Sequence, residues 1–364
     1  MARLLIAAFL VPAAFASPSL APWTGFTQMS PTGQNVRWAQ LPLQICPSAE
    51  LPAAVRAEVE PAAEIWNQHF GQKIFRVDCA AKDRVYNEQN LTEHGIYWSK
   101  KDFAKLTDKT VLARTLLQFD DAGTLLDGDI VLNGEYYEWS RLPIDARTVI
   151  AHELGHLLGL KHYFLALDSV MNYYPYLSGY RHHRIGTYET LTVNALYFNK
   201  SSAAPNFMQL YFADQAKAAL DALLKIKTKS FGDHYAIGTL ATSLGDRAVA
   251  RSHFEAAQKL DPNSTIAELK VAESLWAAGE TAGAEAQLNK LIGRDKRNYE
   301  AFADLGGIML QRGDREGATR AFKRSLEIQP AHWRVCELLQ ELTQEKTYAA
   351  CVKRYGPETP AKTK

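Results

Sequence analysis

The chain has 364 residues, 47% of them apolar, with 41 Lys and Arg against 40 Asp and Glu. Such a length points to two domains. The balanced charge excludes nucleic acid as the main partner, because phosphate binding needs a basic field. No G-x-G-x-x-G fingerprint and no Walker-type loop is present, so the sequence offers no nucleotide cradle.

The chain opens on "MARLLIAAFLVPAAFASPS": one basic residue, an apolar run from Leu4 to Phe15, and a small-x-small site at Ala14-Phe15-Ala16. This pattern predicts a signal peptide over 1–16, removed near Ala16, and a secreted or periplasmic protein. An N-terminal anchor is the alternative. No later stretch is apolar enough to span a bilayer, so the mature chain is expected to have no transmembrane segment. Residues 17–34 read as an N-terminal extension. In an oxidising compartment, Cys46–Cys79 and Cys336–Cys351 are plausible disulfides; four unpaired thiols are the other reading.

From about residue 35 to 200 the pattern is mixed. "VRWAQLPLQIC" has strand character from Val36 to Ile45, interrupted by Pro42. "LPAAVRAEVEPAAEIWNQHF", residues 51–70, reads as one helix with Val55, Val59, Ala62, Ile65 and Trp66 at helical spacing. "HGIYWSK" and "TVLARTLLQF" read as strands, "DDAG" as a turn and "DGDIVLNG" as a further strand. Asp145 is placed to cap a helix that runs into "AHELGHLLGLKH", residues 151–162.

That last segment carries the chemistry. His152 and His156 lie four apart and share one helix face. Two neutral imidazoles so placed can grip one metal ion, and Glu153 can reach a water on it. Gly159 permits the left-handed backbone that stops and reverses a helix, and so lets His162 turn back to the same ion. Imidazoles buried among leucines without a common partner would be costly. A structural zinc site normally closes with four protein ligands; three histidines with no cysteine near them leave a position open.

These residues resemble the metzincin clan of zinc endopeptidases, whose pattern H-E-x-x-H-x-x-G-x-x-H is met by His152, Glu153, His156, Gly159 and His162. "SVMN" supplies the clan's methionine turn at Met171. "SVMN", "RWAQLPLQIC" and "GDIVLN" are most similar to matrixins, and the resemblance covers roughly residues 35 to 198. It implies one catalytic Zn²⁺ on the three histidines, Glu153 as general base, and an edge strand, Val111–Phe119, that pairs with extended substrate. Tyr163 stands where matrixins usually carry Ser. Tyr173 matches the switchable tyrosine ligand of astacins and serralysins; it is expected to assist the oxyanion or ligate zinc, or else to be a packed aromatic. No cysteine-switch motif precedes the domain.

From about residue 231 the chain repeats with a period of 34. Gly245-Asp246, Gly279-Glu280 and Gly313-Asp314 recur, with Ala250, Ala284 and Ala318, then Phe254, Leu288 and Phe322, and the small residues Gly238, Ala272 and Gly306. This resembles the tetratricopeptide repeat. Three units over 231–332 are expected, preceded by a linker and degenerate half-repeat over 201–230. In that half-repeat Ala216, Leu220 and Leu223 continue the phase. A closing hairpin over 333–356 and a disordered tail over 357–364 complete the reading.

The expected fold class is therefore α+β, a metzincin-like domain with a twisted mixed sheet, followed by an all-α solenoid. The expected function is a secreted or periplasmic zinc endopeptidase whose repeats recruit protein substrates or partners. A chain ending near Ser202 is expected to keep peptide cleavage. The alternative is a peptide- or protein-binding repeat protein whose zinc domain is residual or acts on something other than protein.

Overall fold

A computed structural model describes residues 27–77, 94–101, 103–106, 109–142, 145–167, 169–172, 185–200, 205–227 and 229–357. The expected leader over 1–16, Cys79, Tyr173 and the tail beyond residue 357 lie outside these.

The N-terminal part is α+β. Strands β1 (Leu43–Pro47), β2 (Phe75–Val77), β3 (Gly95–Ser99), β4 (Ala113–Phe119) and β5 (Leu125–Asn133) form one sheet in the order β2-β1-β3-β5-β4. The first three pairings are parallel, and β4 runs antiparallel to β5 as the edge strand. A tight turn makes that last pairing possible: Gly123 takes φ +81° and its N–H donates to Asp120 O at 3.0 Å. Ile130, Val131 and Leu132 of β5 are all buried, as a strand covered on both faces requires.

Two expected elements end elsewhere. Between Val36 and Ile45 only the second half joins the sheet; Asn35 and Arg37 make isolated bridges to Met29 and Thr124, while Val36 and Trp38 are buried. The single helix expected over 51–70 is two, α1 (Ala53–Arg56) and α2 (Val59–Phe70). Pro61 explains the break. A continuous helix would need its missing N–H to bond Ala57 O and would drive its ring into that carbonyl. Within the first turn of a new helix neither cost arises. α2 then packs on α4 (Ala146–Leu157), where Trp66, fully buried, donates from Nε1 to Ala151 O at 3.0 Å. A short helix α3 (Phe103–Leu106) and α5 (Thr187–Tyr197) complete this part.

The C-terminal part is a helical solenoid: α6 (Asn206–Phe212), α7 (Ala216–Leu224), α8 (Phe231–Ser243), α9 (Arg247–Leu260), α10 (Thr265–Ala277), α11 (Thr281–Arg294), α12 (Tyr299–Gln311), α13 (Arg315–Ile328), α14 (Trp333–Thr343) and α15 (Lys346–Tyr355). Gly245, Gly279 and Gly313 sit at φ +78°, +82° and +88° in the turns between paired helices. Asp246 and Asp314 cap the helices that follow, accepting from Val249 N and Gly317 N. The small position is set by the residue opposite. A Cβ on Gly238 would lie 2.5 Å from the Phe254 ring, and one on Gly306 2.6 Å from Phe322. The middle unit carries Ala272 where its equivalent partner is the narrower Leu288.

The expected half-repeat over 201–230 is a whole helical hairpin, α6 and α7, turned at Asp214 with φ +59°. Counted from that turn, Ala219 and not Ala216 takes the place of Ala250, and Leu223 that of Phe254. Ala219, Leu220 and Leu223 are fully buried. The hairpin's second helix, α7, has 9 residues where α9 has 14, and this displaces the 34-residue register by about one turn, which preserves the apolar phase and hid the shift.

A disulfide joins Cys336 of α14 to Cys351 of α15, with Cα atoms 6.0 Å apart. Cys46 is also disulfide-bonded. The solenoid touches the α+β part at both ends. At the start, Phe212 of α6 stacks on Tyr163 and Tyr188, and Tyr211 meets Tyr163 edge-on. At the far end, Lys109 Nζ donates to Lys353 O at 2.8 Å, Arg354 Nη2 donates to Glu135 O at 2.9 Å, and the Tyr137 and Tyr355 rings are 6.1 Å apart.

Candidate metal centre

α4 begins where Asp145, in extended conformation, accepts from the N–H and hydroxyl of Thr148, both at 2.8 Å. One helix then carries His152 and His156 a turn apart. It stops at Gly159, whose φ is +85°, with Gly159 N donating to His156 O at 2.8 Å and Leu160 N to Gly155 O at 3.1 Å. A Cβ at Gly159 would also strike the backbone oxygen of Val36. Glycine is thus required twice over, by conformation and by space. Beyond it the chain reverses and returns His162 to the face of α4.

The three imidazoles converge. Nε2 of His156 lies 3.1 Å from Nε2 of His152 and 3.0 Å from that of His162, and the last pair is 3.1 Å apart. The other ring nitrogens fix the tautomers. His152 Nδ1 donates to Val170 O at 2.7 Å and His156 Nδ1 to Leu160 O at 2.8 Å. With protons on Nδ1, the Nε2 lone pairs of these two rings face one another, an arrangement that a cation relieves. Tetrahedral zinc with Zn–N near 2.0–2.1 Å would hold such atoms about 3.3 Å apart, so the donor set fits the ion after a small outward adjustment. Burial, and then the neighbouring His156, push the His162 imidazole down to about 3, which keeps it neutral and able to ligate. Among the described residues this is the one cluster of three or more His, Cys, Asp or Glu side chains placed to hold a metal.

Glu153 is buried beside this centre, and burial raises its carboxyl above the usual range. Thr115 of β4 donates its hydroxyl to Glu153 Oε2 at 2.6 Å. That contact links the edge strand to the acid and was not legible in the sequence, since nothing marks Thr115 among the residues of a strand. Met171 is fully buried against α4, and it can be because residue 155 is glycine: a Cβ there would strike its sulfur. Glu189 is the second residue that sequence reasoning missed. Fully buried, it accepts from the Ser169 hydroxyl, from Met171 N at 3.1 Å and from Gly186 N at 2.8 Å, and so ties the methionine turn to α5. Its spacing of three from Gly186 at a helix start was the available signal. Tyr173 lies outside the described residues.

Residues 234–264 match the tetratricopeptide repeat family model. No curated protein matches the chain. Among solved structures, a MamA RS-1 ArsTM double mutant aligns at 18% identity over 41% of this chain and 88% of that one, TM-score 0.37. MamA 41-end from Desulfovibrio magneticus RS-1 aligns at 17% over 41% and 86%, TM-score 0.35. YrrB, a TPR protein with an unusual peptide-binding site, aligns at 22% over 37% and 74%, TM-score 0.34. The family match shows a tetratricopeptide repeat in this chain, and none of these findings speaks to a metzincin domain.

Proposed function

We propose that the chain is a secreted or periplasmic zinc-dependent endopeptidase of metzincin type whose repeats bind protein substrates or partners. The observation that carries the reading is the convergence of three Nε2 atoms within 3.1 Å beside a buried carboxylate. His152, His156 and His162 would hold the ion. When bound there, zinc supplies an acidified water, with a pKa near 7 against about 9 for the aqueous ion, and a Lewis acid for the scissile carbonyl. Glu153 takes the proton from the attacking water and passes it to the leaving nitrogen. Thr115 engages Oε2 and so orients the carboxylate for that task. β4 is an edge strand packed beside α4, which suits it to pair with an extended peptide. Two of the four cysteines, Cys336 and Cys351, are joined in a disulfide, which supports an oxidising compartment.

A second reading is favoured by the repeat match over 234–264. In it the chain is a peptide- or protein-binding protein, and the histidine centre is residual or hydrolyses something other than protein. Cleavage profiles of a whole proteome with the wild type and with Glu153→Gln separate the two. New peptide termini made by the wild type alone establish the peptidase. Zinc-loaded wild type that produces none, while still retaining bound proteins, establishes the second reading.

A further inference from the structure

We propose that α6, the first helix of the solenoid, positions the third metal ligand, with Phe212 as the positioning residue. This rests on the metal-centre reading above. His152 and His156 are placed by one helix. His162 is not; its place depends on how the loop around it is pinned. On one side Lys161 N donates to the Tyr188 hydroxyl at 2.9 Å, and that hydroxyl donates to Lys161 O at 3.1 Å. On the other side Tyr163 N donates to Met171 O at 2.9 Å. The residues flanking His162 thus answer to two tyrosines, Tyr163 and Tyr188, whose ring centroids are 5.0 Å apart.

Phe212 stacks on both rings. Its centroid lies 5.7 Å from Tyr163 at 23° and 5.0 Å from Tyr188 at 27°. Tyr211 meets Tyr163 edge-on at 5.8 Å. Tyr163 is 3% exposed and Tyr188 is fully buried, and α6 contributes to that cover. A helix of this length does not hold itself in water. α6 is kept by α7, which buries Ala219, Leu220 and Leu223 and packs in turn on α8. The chain of contact therefore runs from the repeats to the loop that carries His162. Ligand distances tolerate about 0.2 Å, so a loop that loses one face of its aromatic support loses metal affinity before it loses fold.

The experiment uses the full chain and reads zinc affinity by competition with a chromophoric chelator, together with the visible spectrum of the Co²⁺-substituted protein. Phe212→Ala is expected to weaken zinc about 10–100-fold, the usual cost of removing a group that orients a ligand, and to alter the cobalt bands. Phe212→Tyr, which keeps the ring, should restore both. Phe322→Leu, an equivalent aromatic loss in the third repeat, should change neither. If Phe212→Ala does not fold, Phe212→Leu, which keeps bulk without a ring to stack, carries the comparison. Wild-type affinity and spectrum in a folded Phe212 variant would overturn the proposal. So would an equal loss in Phe322→Leu, since the effect would then be one of general stability. A wild type that binds no zinc overturns the metal reading itself, and this proposal with it.

Discussion

The two halves of the molecule spend glycine differently. In the solenoid, Gly245, Gly279 and Gly313 take positive φ and nothing lies within 4 Å of where a Cβ would be. In the α+β part, Gly159 takes the same conformation with the Val36 carbonyl against it, and Gly155 lets the Met171 sulfur reach α4. The left-handed glycines of the repeats serve only a local bend, while Gly238 and Gly306 make room for the Phe254 and Phe322 rings of the paired helix. The metal centre needs glycine so that segments distant in sequence can touch. A site built by such close approaches should fail sharply when one is disturbed; a solenoid should lose stability in small increments.

The largest effect that would break this contrast lies at the centre itself. Glu153→Gln is expected to keep zinc and fold while lowering peptide turnover about 10²–10⁴-fold, and His156→Ala to lose zinc. Elemental analysis and a peptide assay on the same samples check both; turnover by Glu153→Gln at the wild-type rate would remove Glu153 from the chemistry. Next is the boundary between the halves. A chain ending at Ser202 lacks α6 and uncovers Tyr163 and Tyr188, so it should aggregate or fail to hold zinc. One ending at Lys227 keeps α6 and α7 and should cleave short peptides. Equal solubility and zinc content of the two would show that α6 is dispensable, as the sequence alone led us to expect.

The glycine contrast itself can be measured. Gly245→Ala adds only the strain of a left-handed residue, about 1–2 kcal/mol. Gly159→Ala adds the collision with Val36 O and should cost more, with loss of zinc. Denaturant unfolding of both variants sharpens or dissolves the distinction. The smallest effect concerns pH. Burial, followed by the charge of Asp127, raises the Asp129 carboxyl to about 7, with the Gly95 N–H opposing. The folded state therefore binds a proton more tightly than the unfolded one, whose value is near 3.9. Through Asp129 the fold loses stability as pH rises from about 4 to 7. In the metal-free protein, the stability difference between wild type and Asp129→Asn should move against wild type across that window.

Much of this was legible in sequence. The 34-residue period placed α8 to α13, because each unit contacts its neighbours and its signals are local. Asp145, Gly159 and the spacing of the histidines located α4 and its end for the same reason. What was not legible depended on distance or on a competing local rule. Pro61 broke an expected helix. The short α7 sets the first hairpin's turn, at Asp214, about one helical turn out of register, which leaves the apolar pattern unchanged. Thr115 reaches Glu153 from another element and is marked by no short-range pattern; Glu189 carries a helix-start spacing from Gly186, but its hold on the turn at Ser169 and Met171 is a contact between elements.

By itself, then, the sequence determined which side chains can ligate and where helices start, stop and repeat, because caps, periodicity and left-handed glycines act over a few residues. The tertiary structure decided that three Nε2 atoms meet at 3.0–3.1 Å, that β4 is the edge strand beside them, and that the solenoid grips the α+β part at α6 and again at α15. Those facts come from packing between segments as far apart as Lys109 and Lys353, where the energy lies in burial and in backbone bonds that a linear pattern does not record.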